Sequence, residues 1–145
     1  MKFTSSLLVF LALSCYALSC STPGKRVQSK PFPLGDYQYT GYGKNGDKIV
    51  EGQLSITSIE QNRIKGEWTL NKIGNPERIG PQVGTGALIG SIIESKVYIN
   101  LNPNMADSNV NLKGTIEDGR YHGTWSFDGY AGRLNQGTFE ATRKE

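Results

Sequence analysis

Cysteine is almost missing from this chain: 145 residues carry two, Cys15 and Cys20, and both precede the body of the sequence. No disulfide can brace that body, so it has to be held by its core. Histidine is rarer still. His122 stands alone, which excludes a Cys/His metal site, and its position in the strand pattern puts it on an outer face, away from any Ser-His-Asp arrangement. There is no Gly-x-Ser-x-Gly elbow, and Gly84-Thr85-Gly86 opens a strand pattern instead of the helix a phosphate loop needs. No catalysis and no cofactor are implied. Charge of one sign is lacking too: 16 Lys plus Arg face 13 Asp plus Glu, for +3 overall without a basic cluster, so no nucleic-acid surface is expected. Long apolar runs are also absent. The longest candidate, Phe3 to Leu18, spans 16 residues diluted by Thr4, Ser5, Ser6 and Ser14, short of the ~20 that cross a bilayer.

What the chain has at its start is an address. Met1-Lys2, the apolar run Leu7 to Leu13 and the small residues Ala17-Leu18-Ser19 form a secretory signal over residues 1–19. Ala17-Leu18-Ser19-Cys20 resembles the lipobox of bacterial lipoproteins. That resemblance implies cleavage before Cys20 and diacylation of its sulfur, with the acyl chains supplying a stable membrane anchor. Cys15 follows the same Ala-Leu-Ser triplet but would leave a very short signal, whereas Cys20 opens directly onto polar sequence. The expected location is the cell envelope, at the outer membrane or cell surface, with simple secretion after Ser19 as the alternative. Residues 20–35, with three prolines, three basic residues and no hydrophobic period, read as the lipidated N-terminus and a tether.

Residues 36–145 read as one all-β domain. Apolar residues recur with period two, and Gly, Asn, Asp and Pro punctuate the pattern at intervals typical of short strands. Glycine reaches 18 of 145 residues against a usual ~7%, without a Gly-X-Y period, which fits many turns and tightly bent strands. Strands are expected near 36–43, 48–59, 63–71, 85–94, 96–102, 109–117, 120–128 and 134–143. Asn45-Gly46 and Asp118-Gly119 are hairpin signals. Alternation groups Val50, Leu54 and Ile56 on one face, then Ile64, Trp68 and Leu70, then Val97, Ile99 and Leu101. Val110, Leu112 and Ile116 follow, then Tyr121, Trp125 and Phe127, then Phe139 and Ala141. The fourth segment is apolar in both phases and has no assigned orientation. Arg63 to Leu70 and Arg120 to Phe127 repeat one design, Gly66-x-Trp68 matching Gly123-x-Trp125, which suggests pseudo-symmetry within a single closed barrel.

Eight strands in an up-and-down meander resemble the calycin group of lipocalins, fatty-acid binders and avidins. The resemblance implies an eight-stranded antiparallel barrel and a monomer. Lipocalins carry Gly-x-Trp on their first strand; here it falls on the third and seventh, so no lipocalin ligand or receptor carries over. Arg143, in phase with Phe139 and Ala141, is expected as a capping or solvent-facing charge.

The meander places the longer loops, Tyr42 to Lys48, Lys72 to Val83, Pro103 to Ser108 and Gly129 to Arg133, at the end opposite the tether, as a mouth. Trp68, Leu70, Trp125 and Phe127 point inward in that half. They can fill the barrel or enclose a small ligand, since an eight-stranded barrel has room for little more. Tyr130 and Arg133 are expected at the rim, with Asp128 and Arg78, where they could orient a polar group. Glu51, Glu67, Glu117 and Asp128 scatter over polar faces. Two functions fit: binding of a small, partly apolar ligand in the mouth, or docking of an envelope protein or protease on the mouth loops. The first needs a cavity beneath Trp68 and Trp125. The second tolerates a filled interior and exposed apolar loop residues.

Overall fold

A computed structural model describes residues 32–145. The expected signal, Cys20 and the tether up to residue 31 lie outside the described residues. Eight strands follow one another: β1 (Gly35–Tyr42), β2 (Lys48–Glu60), β3 (Arg63–Lys72), β4 (Gly84–Ile93), β5 (Lys96–Asn100), β6 (Ser108–Glu117), β7 (Arg120–Gly129) and β8 (Gly132–Arg143). Each pairs antiparallel with the next, and β8 returns to β1, with Tyr39 opposite Ala141 and Gly41 opposite Phe139, to close a single up-and-down barrel. Closure satisfies every strand edge. The meander gathers the turns at 61–62, 94–95 and 118–119 at the base, with the start of β1 and the end of β8. The longer connections collect at the mouth. At the base, Gln61 and Asn62 both take positive φ (50° and 66°), as do Asp118 and Gly119 (48° and 76°), which matches the right-handed twist of the strands they join.

Alternation translates directly into burial. Tyr37, Tyr39, Val50, Leu54, Ile56, Ile64, Leu70, Val97, Ile99, Val110, Leu112, Tyr121, Phe139 and Ala141 all point inward and are buried in one contiguous cluster. β4, apolar in both phases, is oriented by its neighbours: Leu88 is buried and Ile92 packs on the core, while Ile89 and Ile93 stand exposed outside. The reason is Trp68. It lies opposite Gly86, and a Cβ there would meet three of its ring atoms at 2.8 Å, so only glycine leaves room for the indole. The repeat reproduces the device, with Trp125 opposite Gly137 and its Nε1 2.6 Å from where a Cβ would stand.

The base is sealed by an aromatic cluster. Phe32 is 5% exposed, its ring 5.3 Å from Tyr37 and 5.6 Å from Tyr121. Tyr121 meets Phe139 edge-on at 4.7 Å, and the Tyr37 hydroxyl donates to the Pro33 carbonyl at 2.7 Å. Phe32, which lies ahead of residue 36, therefore packs with the barrel. Proline-rich composition made Phe32 look like linker, but its ring has the base of the barrel to bury against.

Two predictions follow from this packing. Trp125→Ala should cost about 3 to 5 kcal/mol in chemical denaturation, and Gly86→Ala should also destabilise because its methyl must displace the Trp68 ring; a loss below about 1 kcal/mol for Trp125→Ala would put the indole at the surface. The second concerns alkali. Burial pushes the Tyr37 phenol up to about 12, the Arg143 charge opposing in part, and burial also raises Tyr39 and Tyr121. The fold retains neutral phenols, whereas the unfolded chain ionises them from about pH 10. Their contribution should be intact below that pH and lost as pH rises above it, measured as a falling thermal midpoint. Tyr39→Phe should soften the fall and leave neutral-pH stability equal or higher, because the buried Tyr39 hydroxyl has no hydrogen-bond partner among the described residues.

Candidate functional site

Both tryptophans are tied to the mouth by hydrogen bonds. The Trp68 Nε1–H donates to the Leu101 carbonyl at 2.6 Å, where the loop from β5 to β6 begins. The Trp125 Nε1–H donates to the Tyr42 carbonyl at 2.8 Å, at the edge of the turn between β1 and β2. Each indole fills the interior and anchors a mouth loop. The loop after β3 lies over this end, with Ile79 buried in the core cluster and Gln82 fully buried. Asn102 Nδ2 donates to the Pro81 carbonyl at 2.7 Å, and Asn135 Nδ2 reaches the Glu77 carbonyl at 3.3 Å. Gly80 sits against the Phe127 ring, 2.5 Å from where its Cβ would be.

Trp68, Leu70 and Trp125 thus come together in the interior, at 4%, 0% and 0% exposure, with Phe127 half-buried beneath the loop. Tyr130 and Arg133 do not join them. Tyr130 is 95% exposed between β7 and β8. Arg133 leaves the rim because β8 carries one extra residue, Leu134: Phe127 pairs with Asn135, but Asp128 pairs with Arg133. Such a bulge shifts which side chains share a face, and Arg133 is aimed along the outer wall, its Nε 3.0 Å from Asp128 Oδ1.

That outer wall holds an open groove of about 1000 Å³. It crosses β4 to β8 and is bounded by the β1–β2 turn through Gly43, Lys44 and Gly46. Twisted barrel strands make a wall concave along their own direction, and the outward phase of five strands converges there. Ile89 and Ser91 come from β4, Tyr98 and Asn100 from β5, Asn111 and Lys113 from β6. Thr124, Ser126 and Asp128 come from β7, and Arg133, Gln136 and Thr138 from β8. Asp128 organises them. Its Oδ2 accepts from Ser126 Oγ at 2.7 Å and Asn111 Nδ2 at 3.0 Å, and Arg133 Nη1 extends to Gln136 Oε1 at 3.3 Å. Burial alone would raise the Asp128 carboxyl, but the hydrogen bonds from Ser126, Asn111 and Arg133, with the Arg133 charge, outweigh it and hold it below its usual range. The Lys113 ammonium stands 5.5 Å over the Tyr98 ring.

A smaller groove of about 550 Å³ lies outside β1 to β3. Three of its polar side chains are joined in a chain of hydrogen bonds, Gln53 to Ser55, Ser55 to Asp36 and Lys144 to Gln53. No group of three or more metal-ligating side chains gathers among the described residues. Tyr98, Asn111, Lys113 and Ser126, which line this groove beside Asp128, were not among the residues expected at the mouth; the polar phase of β5 to β8 is what marks them as outward. The chain matches no family model and no curated protein.

Fatty acids, sterols and haem should leave the emission of Trp68 and Trp125 unchanged, since both rings are packed and hydrogen-bonded. Ile79→Ala should cost about 2 kcal/mol in denaturant titration, because it vacates a core position closing the mouth. Strong quenching by an apolar probe in the parent protein would show a usable interior cavity.

Proposed function

We propose that this chain is an envelope lipoprotein, acylated at Cys20, whose barrel is a non-catalytic binding module working from its outer wall. The observation that carries the reading is the groove over β4 to β8. It offers a small, partly apolar ligand the exposed Ile89 and the Tyr98 ring beside a pre-ordered polar network. The interior side chains, by contrast, are engaged with one another and with mouth-loop carbonyls. Asp128, held ionised and hydrogen-bonded on both oxygens, suits fixed recognition better than proton transfer. The acylated cysteine supplies a location that a lone thiol in an oxidising compartment would not explain.

A second reading is docking of an envelope protein at the mouth. It is favoured by Val83, Met105 and Tyr130, apolar residues standing exposed on three mouth loops.

Intact mass spectrometry of protein from its native membrane should show Cys20 as an acylated N-terminus, and Cys20→Ser should be uncleaved or soluble. Membrane retention by that variant, with Cys15→Ser released instead, would move the anchor to Cys15. A co-purifying small molecule should be lost from Thr124→Trp, which fills the groove from an exposed position, and kept by a Met105→Ala/Tyr130→Ala variant. The opposite pattern, with a protein as the captured partner, would establish the docking reading.

A further inference from the structure

We propose that the outer groove binds an acidic oligosaccharide, its chain lying across β4 to β8. The inference rests on the groove being the working surface and puts a chain of charged sugar units there in place of a single small, partly apolar molecule.

Three cations, Lys44, Lys113 and Arg133, line the groove with one carboxylate, Asp128. That carboxylate is already committed, Oδ1 to Arg133 and Oδ2 to Ser126 and Asn111, and Arg133–Asp128 is the one ion pair among the described residues. Lys44 and Lys113 therefore have no acidic partner there. Lys113 rests against the Tyr98 ring, but a neutral or cationic ligand would leave both ammoniums without a counter-charge. β8 and β7 lie between β1 and β6 in the sheet, so the end of β1, from which the turn bearing Lys44 extends, and the strand bearing Lys113 are three strand spacings apart, about 14 Å at ~4.8 Å each. That separation suits charges repeated along a chain, not the single charge of a small acid.

Tyr98 and Ile89 are on adjacent strands, a diagonal pair two residues apart in register, and together present an aromatic face and an aliphatic edge of the sort on which the C–H face of a sugar ring rests. Beside them, Thr124 and Thr138 lie directly opposite each other and make no side-chain hydrogen bond among the described residues. Asn111 uses only its Nδ2 and Gln136 only its Oε1 within the network, leaving an acceptor and a donor for vicinal hydroxyls. These groups are already oriented by the Asp128 network, so little ordering accompanies binding. Single-stranded nucleic acid would meet the same cations, but it needs successive aromatic platforms, and the groove presents the Tyr98 ring alone beside its polar groups.

The test uses the full acylated protein in detergent micelles and titrates it calorimetrically with polygalacturonate, alginate, hyaluronate and sialylated oligosaccharides. Methyl-esterified or asialo counterparts and single-stranded DNA serve as comparisons. At least one acidic chain should bind, more weakly as salt rises. Lys44→Ala and Lys113→Ala should each weaken it about fivefold. Tyr98→Ala should abolish binding while Tyr98→Phe retains it, which separates stacking from a folding defect. Neutral counterparts binding as well as the acids, with the lysine variants silent, would overturn the acidic class and leave the groove reading standing. Binding of DNA with the same Tyr98 dependence, and of no saccharide, would overturn the sugar. If no chain binds and Thr124→Trp also keeps its co-purifying molecule, both the ligand class and the groove reading fall.

Discussion

Two indoles seated against two glycines set the dimensions of this barrel. Trp68 over Gly86 and Trp125 over Gly137 each bring a large ring against the bare backbone of the following strand. Interior space in an eight-stranded barrel is scarce, and a ring of that size fits only where the facing wall is stripped of its Cβ. Gly66 and Gly123 of the same repeat serve a related need: a Cβ at either would stand 2.1 Å from a carbonyl of the preceding strand, Ser55 or Lys113. The two Gly-x-Trp hairpins thus take up corresponding places in the two halves of the barrel.

The mouth loops are held by those rings, and the base is closed by a separate aromatic group. The indole N–H groups hold the carbonyls of Leu101 and Tyr42 at the mouth, and the loop after β3 adds Ile79 to the same cluster. At the base Phe32 completes the aromatic group of Tyr37, Tyr121 and Phe139. In a domain without disulfides, closely packed aromatics at both ends provide the burial that cross-links would otherwise replace. The interior is thereby filled, and the open concavity of the barrel lies on its outer wall.

On that wall the polar chemistry is ordered, not scattered. Asp128 draws a hydroxyl, an amide and a guanidinium from three strands into one network. Asn111 and Arg133 reach Asp128 from the two neighbouring strands, as antiparallel register allows, while Ser126, itself buried, bonds to it from two residues back along β7. The mouth adds a different surface, with Val83, Met105 and Tyr130 exposed on loops whose backbones are held by the core beneath them.

Strand period, strand number, turn positions and the inward phase of seven strands were legible from local sequence, because side-chain alternation and turn chemistry act over a few residues. The repeat at Trp68 and Trp125 was visible too. β4 was not orientable, since Ile89 and Ile93 are apolar but outside, and only Gly86 facing Trp68 resolves its phase. The closure at Phe32 was hidden because nothing local distinguishes a docked phenylalanine from one in a proline-rich linker. Arg133 was misplaced for a similar reason: the extra residue Leu134 shows itself only in the pairing of β8 with β7. The groove itself joins side chains from Lys44 to Thr138. Alternation marks each as outward, but the curvature that brings them to one concavity belongs to the closed, twisted sheet and to no segment of the chain.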